Sequence, residues 1–257
     1  VESVLIPTES RTTACVSSQV GCSLNCEFCA TAKLKRMRNL EVAEIVDQVA
    51  LIDKQSKLYF DRPLSNIVFM GMGEPMMNYK NVVDAIKKIT EEDGLGMSPR
   101  RITVSTSGIP KMIKMLADEN LKVKLALSLH SAIEHKRNEI MPFSTKFPLT
   151  EIMEAMQYWY NKTDNKITFE YCVWKGINDG DEDIKALIKY CRQVPCKVNL
   201  IQYNPIGEGK FDHRSIEAEE RYVRELEKAG ITVLVRRSRG GDIDAACGQL
   251  ANKNSSE

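Results

Sequence analysis

The sequence predicts an α/β chain built as a partial (β/α)6, TIM-like barrel. Three observations lead there. Short β-rich runs alternate with stretches whose apolar residues recur every three or four positions. The residues best suited to chemistry fall just after the β-rich runs, as expected where parallel strands bring their carboxyl ends to one rim. The chain has 257 residues, 43% apolar and 28% charged; this is ordinary globular composition, at a length an α/β barrel uses in full. Periodicity alone leaves a flat doubly wound sheet open as the competing layout.

In chain order, residues 13–20, 66–70, 102–106, 122–129, 166–174, 197–203 and 232–236 read as strands from their β-branched and aromatic content. Between them, Ile45, Val49 and Ile52 mark one helix face. Val82, Ala85, Ile86 and Ile89 mark a second, and Ile184, Leu187, Ile188 and Cys191 a third. Asp181 is the expected N-cap of that third helix, and Ser215, followed by Ala218 and Glu219, opens another. Strand–helix alternation at this spacing implies βαβ units with right-handed crossovers. Residues 1–250 are expected to form a single core domain, with 251–257 as a flexible tail.

Several classes are excluded. Composition rules out a disordered or collagen-like chain. No apolar run approaches the roughly 18 residues of a spanning helix; the best, 123–129, is interrupted by Lys124. No signal segment is visible. The first residue is Val1, not Met, as expected of a trimmed chain. The net charge of +1 does not announce a nucleic-acid partner, so any RNA must be held by a local patch. Two basic runs qualify: Lys33-Leu34-Lys35-Arg36-Met37-Arg38 and Arg236-Arg237-Ser238-Arg239.

Eight cysteines lie at 15, 22, 26, 29, 172, 191, 196 and 247. Crowding between Cys15 and Cys29 reads as metal or redox chemistry rather than stapling. Cys22-x3-Cys26-x2-Cys29 supplies three thiolates without a nearby fourth ligand, unlike a closed structural zinc site. Thiolates hold iron–sulfur clusters, and a four-iron cluster tied by three leaves one iron open for a further ligand. The alternative is that Cys15 closes a zinc or cluster site, giving a non-catalytic RNA-binding module. Cys172 and Cys191 read as small core residues and Cys196 as inert. Met70, Met72, Met76 and Met77 read as core filling, and Tyr158-Trp159-Tyr160 as helix packing.

The motif Cys22-x3-Cys26-x2-Cys29, with Phe28 beside the last cysteine, resembles the signature of the radical S-adenosylmethionine (SAM) superfamily. "ACVSSQVGC" from Ala14, "FMGMGEP" from Phe69, "SLH" from Ser128, "YNPIG" from Tyr203 and "GDIDAACGQL" from Gly241 narrow the resemblance. They are similar to the RlmN/Cfr family of adenine methyltransferases acting on 23S ribosomal RNA and transfer RNA. Pro75 in the second motif leans toward the C2-methylating branch rather than the C8-methylating, antibiotic-resistance branch. Family members carry an N-terminal helical domain ahead of this core.

The resemblance implies a radical SAM barrel with a [4Fe-4S] cluster on Cys22, Cys26 and Cys29. It implies SAM contacts at Gly73, Glu74, Ser105, Ser128, Leu129, His130 and Asn204. It implies two SAM per turnover: one methylates Cys247, the other gives a 5′-deoxyadenosyl radical that activates that methyl group for addition to C2. Cys15 then resolves the adduct, leaving a Cys15–Cys247 disulfide, and Glu2 accepts the C2 proton. So near the chain start, Glu2 is expected to be loosely held. The implied partners are an RNA substrate and a flavodoxin-type electron donor. The expected setting is a cytoplasmic monomer away from membranes. The residues themselves agree with the role of Cys247, since glycines on both sides permit unusual backbone angles. A radical route also suits adenine C2, which lies between two ring nitrogens and is too electron-poor to attack a methyl donor.

Overall fold

The computed structural model describes residues 1–206, 211 and 215–251. Residues 252–257 of the expected tail, and Gly207 of the "YNPIG" motif, lie outside them.

Strands β1 (Val4–Pro7) and β2 (Thr12–Cys15) form an antiparallel hairpin. The two-residue strands β3 (Gln19–Val20) and β4 (Arg38–Asn39) pair as a separate ribbon, which embraces the short helix α1 (Ala30–Lys33). The chain then alternates: α2 (Val42–Phe60), β5 (Asn66–Phe69), α3 (Tyr79–Thr90), β6 (Ile102–Thr106) and α4 (Pro110–Asp118). Next come β7 (Lys124–Ser128), α5 (Glu134–Ile140), α6 (Leu149–Thr163), β8 (Ile167–Tyr171) and α7 (Asp181–Cys191). The series ends with β9 (Cys196–Ile201), α8 (Ile216–Lys228) and β10 (Thr232–Arg236).

The main sheet runs β1-β2-β5-β6-β7-β8-β9-β10, and every pair from β2 onward is parallel. This order settles the choice between layouts. A doubly wound sheet reverses direction at a switch point. Here each right-handed crossover steps the same way, so the helices fall on one face and the sheet curls around the other. The result is a half barrel of six strand–helix units (β2–α2, β5–α3, β6–α4, β7–α6, β8–α7, β9–α8), with β1 and β10 as its edges. Helix faces bury Ile45, Val49 and Ile52, then Val82, Ala85, Ile86 and Ile89, then Ile184, Leu187 and Cys191 against the strands. Trp159 is fully buried and its neighbours Tyr158 and Tyr160 pack on the same core.

Three local expectations change. The run 13–20 splits because the amide of Ser17 turns to Gln48 Oε1 at 2.9 Å on α2 and leaves the ladder. Strand β1 carried no readable alternation; pairing with β2 makes it a strand. The N-cap of α7 is Gly180, whose amide donates to Asp183 Oδ2 at 3.1 Å, and Asp181 is the first helical residue. At α8 the cap is Ser215 as read, its Oγ accepting from the Ala218 amide at 3.2 Å.

Candidate active site at the carboxyl rim

Because the strands are parallel, Cys15, Gly71–Pro75, Thr106–Gly108, Ser128–His130, Cys172–Trp174 and Gln202–Pro205 all leave the sheet at one rim. The cysteine loop folds over it. Gly21 has φ +74°, and a Cβ there would lie 2.5 Å from the Lys35 carbonyl oxygen, so only glycine lets the loop close on β4. The Cys29 amide donates to Cys26 O at 3.2 Å and the Glu27 amide to Ile140 O at 3.1 Å, fastening the loop to the end of α5. Phe28 sets its ring against His130 at 4.6 Å and Trp174 at 5.3 Å.

The three thiols of the loop share one electrostatic environment. Burial, then the charges of Cys29 and Glu74, pushes Cys22 up to about 11. Burial, then Cys29, Cys22 and Glu74, raises Cys26 well above the ordinary thiol value. Burial also raises Cys29, opposed by donors from Ala32 and Thr31. Mutually repelling, desolvated thiols ionise only when cations arrive. Among the described residues no three His, Cys, Asp or Glu side chains converge on a single-ion site. Thiolates that each bind a different iron need not converge. The donor set therefore fits a thiolate-held cluster.

The Cys247 loop is tied to α1, the helix that follows Cys29. The Ala30 amide donates to Gly248 O at 2.7 Å, and Thr31 Oγ1 to Leu250 O at 2.6 Å. Asn204 Nδ2 holds the Cys247 carbonyl at 3.1 Å. Gly248 takes φ +83° and passes Phe28 so closely that a Cβ would lie 3.3 Å from the Phe28 oxygen. Cys247 is exposed, yet burial, then the nearby Cys29 charge, pushes its thiol up to about 11. Cys15, at the end of β2, is pushed up to about 12 by burial and then by Cys247. Both are free thiols. Cys15 thus lies within electrostatic reach of Cys247, and Cys247 within reach of Cys29.

Glu2 is held, contrary to the expectation of fraying: its Oε2 accepts from the Ala251 amide at 2.8 Å and its carbonyl from Ser17 Oγ at 2.5 Å. Glu74 is buried with Oε1 on the Met76 amide (3.0 Å) and Oε2 on the Ser107 amide (2.8 Å) and hydroxyl (2.9 Å). Burial raises its pKa, and the Ser107 and Met76 amides oppose that. Gly73 has φ +90° and a Cβ there would lie 2.5 Å from Gln19 Cβ; Gln19 Oε1 in turn accepts the Glu74 amide at 2.9 Å. Ser105 is buried in β6 and Ser128 half-buried at the end of β7.

His130 is buried with φ +56°, and desolvation, reinforced by Arg137, lowers its pKa to about 3. It is a neutral imidazole whose Nδ1 accepts the Cys172 amide at 3.2 Å. Both backbone groups of Leu129 are engaged within the protein, the amide on Glu170 O at 3.0 Å and the carbonyl on Arg137 Nε at 3.2 Å. Gln19, Ser107, Asn178 and Arg137 hold these loops together; Gln19 lies within the motif from Ala14 and Ser107 in the loop after β6, but nothing in the sequence context marked Asn178 or Arg137. The basic runs are partly committed: Arg38 forms a two-pronged pair with Glu44 at 2.7 Å, and Arg237 lies 3.3 Å from Glu219. Lys35 and Arg36 remain exposed.

Comparison with known proteins accords with this geometry. The family model of the radical SAM superfamily matches residues 16–191. A probable dual-specificity RNA methyltransferase RlmN of Flavobacterium psychrophilum is 69% identical over 98% of this chain and 73% of its own length. Its counterpart in Christiangramia forsetii is 68% identical over 99% and 72%. The crystal structure of a radical SAM methyltransferase from Sphaerobacter thermophilus superposes with TM-score 0.94 at 42% identity, covering 96% of this chain and 72% of that one. With the cysteine loop, the half barrel and the Cys247 loop assembled at one rim, this chain belongs to the radical SAM superfamily and, within it, to the RlmN RNA methyltransferases.

Proposed function

We propose that this SAM-dependent RNA methyltransferase adds a methyl group to C2 of an adenosine in 23S ribosomal RNA and transfer RNA, carrying the new carbon on Cys247. The observation behind this reading is that the Cys247 loop is fastened to the cysteine-loop helix through Gly248 and Leu250, within electrostatic reach of Cys15. A [4Fe-4S] cluster held by Cys22, Cys26 and Cys29 would supply, with two SAM molecules, the methyl group and the radical chemistry.

The protein's own residues do the rest. Glu74, anchored on Ser107 and Met76, offers a carboxylate to the SAM ammonium, with Ser105, Ser128 and the Asn204 region lining the remainder. Cys247 receives a methyl group as thiolate; burial raises the pKa of Cys247 and of Cys15, and Arg236 opposes part of that rise. Once the sulfur-borne carbon has joined C2 the adduct holds an unpaired electron; Glu2 takes the C2 proton, and that electron would return to the oxidised cluster, leaving a closed-shell adduct. Cys15 thiolate then attacks the Cys247 sulfur. The S–S bond forms, the S–C bond breaks, and its electron pair passes to the methylene carbon, which takes a proton to become methyl. The disulfide needs two electrons from an external reductant before the next turnover. Lys35 and Arg36 would contact RNA phosphates without reading sequence, and the target base must leave its stack to reach Cys247. The site of action is the cytoplasm, where both RNAs reside.

The test is anaerobic reconstitution with iron and sulfide, incubation of the protein with RNA, SAM and flavodoxin, and mass spectrometry of the digested RNA. We expect 2-methyladenosine; 8-methyladenosine would overturn the regiochemistry. Cys15→Ala should accumulate a covalent protein–RNA adduct. Normal turnover by Cys15→Ala would show that Cys15 is not the resolving thiol.

A further inference from the structure

Arg137, on α5, is fully buried, at 0% exposure. Its Nε donates to Leu129 O at 3.2 Å and its Nη2 to Ser107 O at 2.5 Å and Ser128 O at 3.3 Å. These are carbonyls of the loops that follow β6 and β7. Its Nη1 has no hydrogen-bond partner, and among the described residues it forms no ion pair. Glu134, a carboxylate whose charge acts on Arg137, directs Oε2 to the Leu149 amide at 2.9 Å. A guanidinium stays charged even when desolvated, so this is an uncompensated buried cation, which is costly to keep.

Its surroundings say where the missing anion belongs. One turn along α5, Ile140 O accepts the Glu27 amide from within the cysteine loop. Cys26 and Phe28 pack against the apolar cluster that includes Ile140 and Met141 at the end of the same helix. Cys26 is also one of the groups whose charge acts on Arg137. Arg137, with its unpartnered N–H, therefore lies within electrostatic reach of the cysteine loop at Cys26.

We infer that Arg137 supplies a fixed positive charge to the cluster held by Cys22, Cys26 and Cys29, stabilising its more negative, one-electron-reduced form and so setting the potential at which it accepts an electron. The inference rests on the proposed assignment of those cysteines. A cation close to the cluster favours whichever redox state carries more negative charge, and low local dielectric enlarges the effect. Burial against three backbone carbonyls keeps the charge from swinging into solvent.

The test is an electron-paramagnetic-resonance redox titration of the reconstituted holoprotein without SAM, comparing wild type, Arg137→Lys and Arg137→Met. Removing the charge in Arg137→Met should cut the reduced fraction at a fixed poise about ten-fold, a fall of about 59 mV for one electron. Arg137→Lys, which keeps the charge, should stay within about two-fold of wild type, by the same relation. Should Arg137→Met not fold, Arg137→Gln, whose amide can still bond the carbonyls, takes its place. An unchanged midpoint in the neutral variant, or an equal fall in Arg137→Lys, would overturn the inference. A neutral variant with unchanged midpoint but weakened SAM binding would assign the charge to the SAM carboxylate instead, and also overturns it. A wild-type protein that holds no iron overturns the cluster assignment itself, together with this inference. An iron-loaded protein with unmoved potential overturns the inference alone.

Discussion

Replacing Gly73 by alanine isolates the junction between the cysteine ribbon and the Glu74 loop. Gly73 has φ +90°, a conformation an L side chain adopts at a cost of about 1–2 kcal/mol. The new Cβ would lie 2.5 Å from Gln19 Cβ, 2.7 Å from its Cγ and 2.9 Å from its backbone nitrogen. None of these is the free end of a flexible chain, so β3 itself must move. Crowding of that kind adds about 1–3 kcal/mol, for a total near 2–5 kcal/mol. In a domain of this size that corresponds to roughly 5–15 °C in melting temperature. Displacing Gln19 also strains its bond to the Glu74 amide, so SAM binding should weaken along with stability. Gly176→Ala is the matched control: φ is +75° there but nothing lies within 4 Å of the added Cβ, leaving only the backbone cost of about 1–2 kcal/mol. Calorimetry of both variants, with SAM titration of the reconstituted proteins, makes the comparison. A Gly73→Ala protein no less stable than Gly176→Ala, and binding SAM as wild type does, would refute the packing argument.

Other expectations follow from the same geometry. Lys35→Gln and Arg36→Gln should each flatten the salt dependence of RNA binding by about 0.7–0.9 in logarithmic slope. Arg38→Gln should change it little, since Glu44 already occupies Arg38; binding curves between 50 and 200 mM salt would decide. In cluster-free protein, Cys15 and Cys22 have pKa values raised above 9, to about 12 and about 11. Above pH 9 the unfolded chain releases these protons while the native one retains them. Stability is therefore full below pH 9 and should fall as pH rises from 9 toward 11–12, read from urea midpoints; a flat profile would contradict the burial of these thiols. Thr31→Val should cost about 1–3 kcal/mol by stranding the Leu250 carbonyl. Amide exchange at 247–250 should accelerate, and unchanged exchange would show that the tether does not hold the Cys247 loop.

The barrel was legible because its strands keep their own signatures. Runs 102–106 and 232–236 coincide with β6 and β10, and the helix faces of α2, α3 and α7 bury the residues their spacing marked, except Ile188, which is half-buried against the core. Strand β1 was not legible, being made by its partner rather than by its own pattern. In the site, the cysteine spacing pointed to thiolate-held metal chemistry, and the flanking motifs narrowed it to the family that the comparisons show. The meeting of Cys15 with Cys247 came from resemblance, because no local pattern encodes an encounter between chain ends. Arg137 was hidden for a different reason. Within Glu134–Ile140, the stretch EHKRNEI reads as a solvated charged helix, and only the fold turns one of its cations inward. Gln19 escaped notice likewise, since its importance exists only where β3 meets the Gly73 turn.

The account stands on three thiolates leaving one iron of a cluster free to take SAM. The direct measurement is the hyperfine spectrum of reduced, oxygen-free holoprotein mixed with SAM labelled with nitrogen-15 at its amine and oxygen-17 at its carboxylate. Coupling of both labels to the cluster, abolished in Cys26→Ala, is the expected result. A metal centre fully ligated by protein, whose spectrum SAM leaves unchanged, would contradict it.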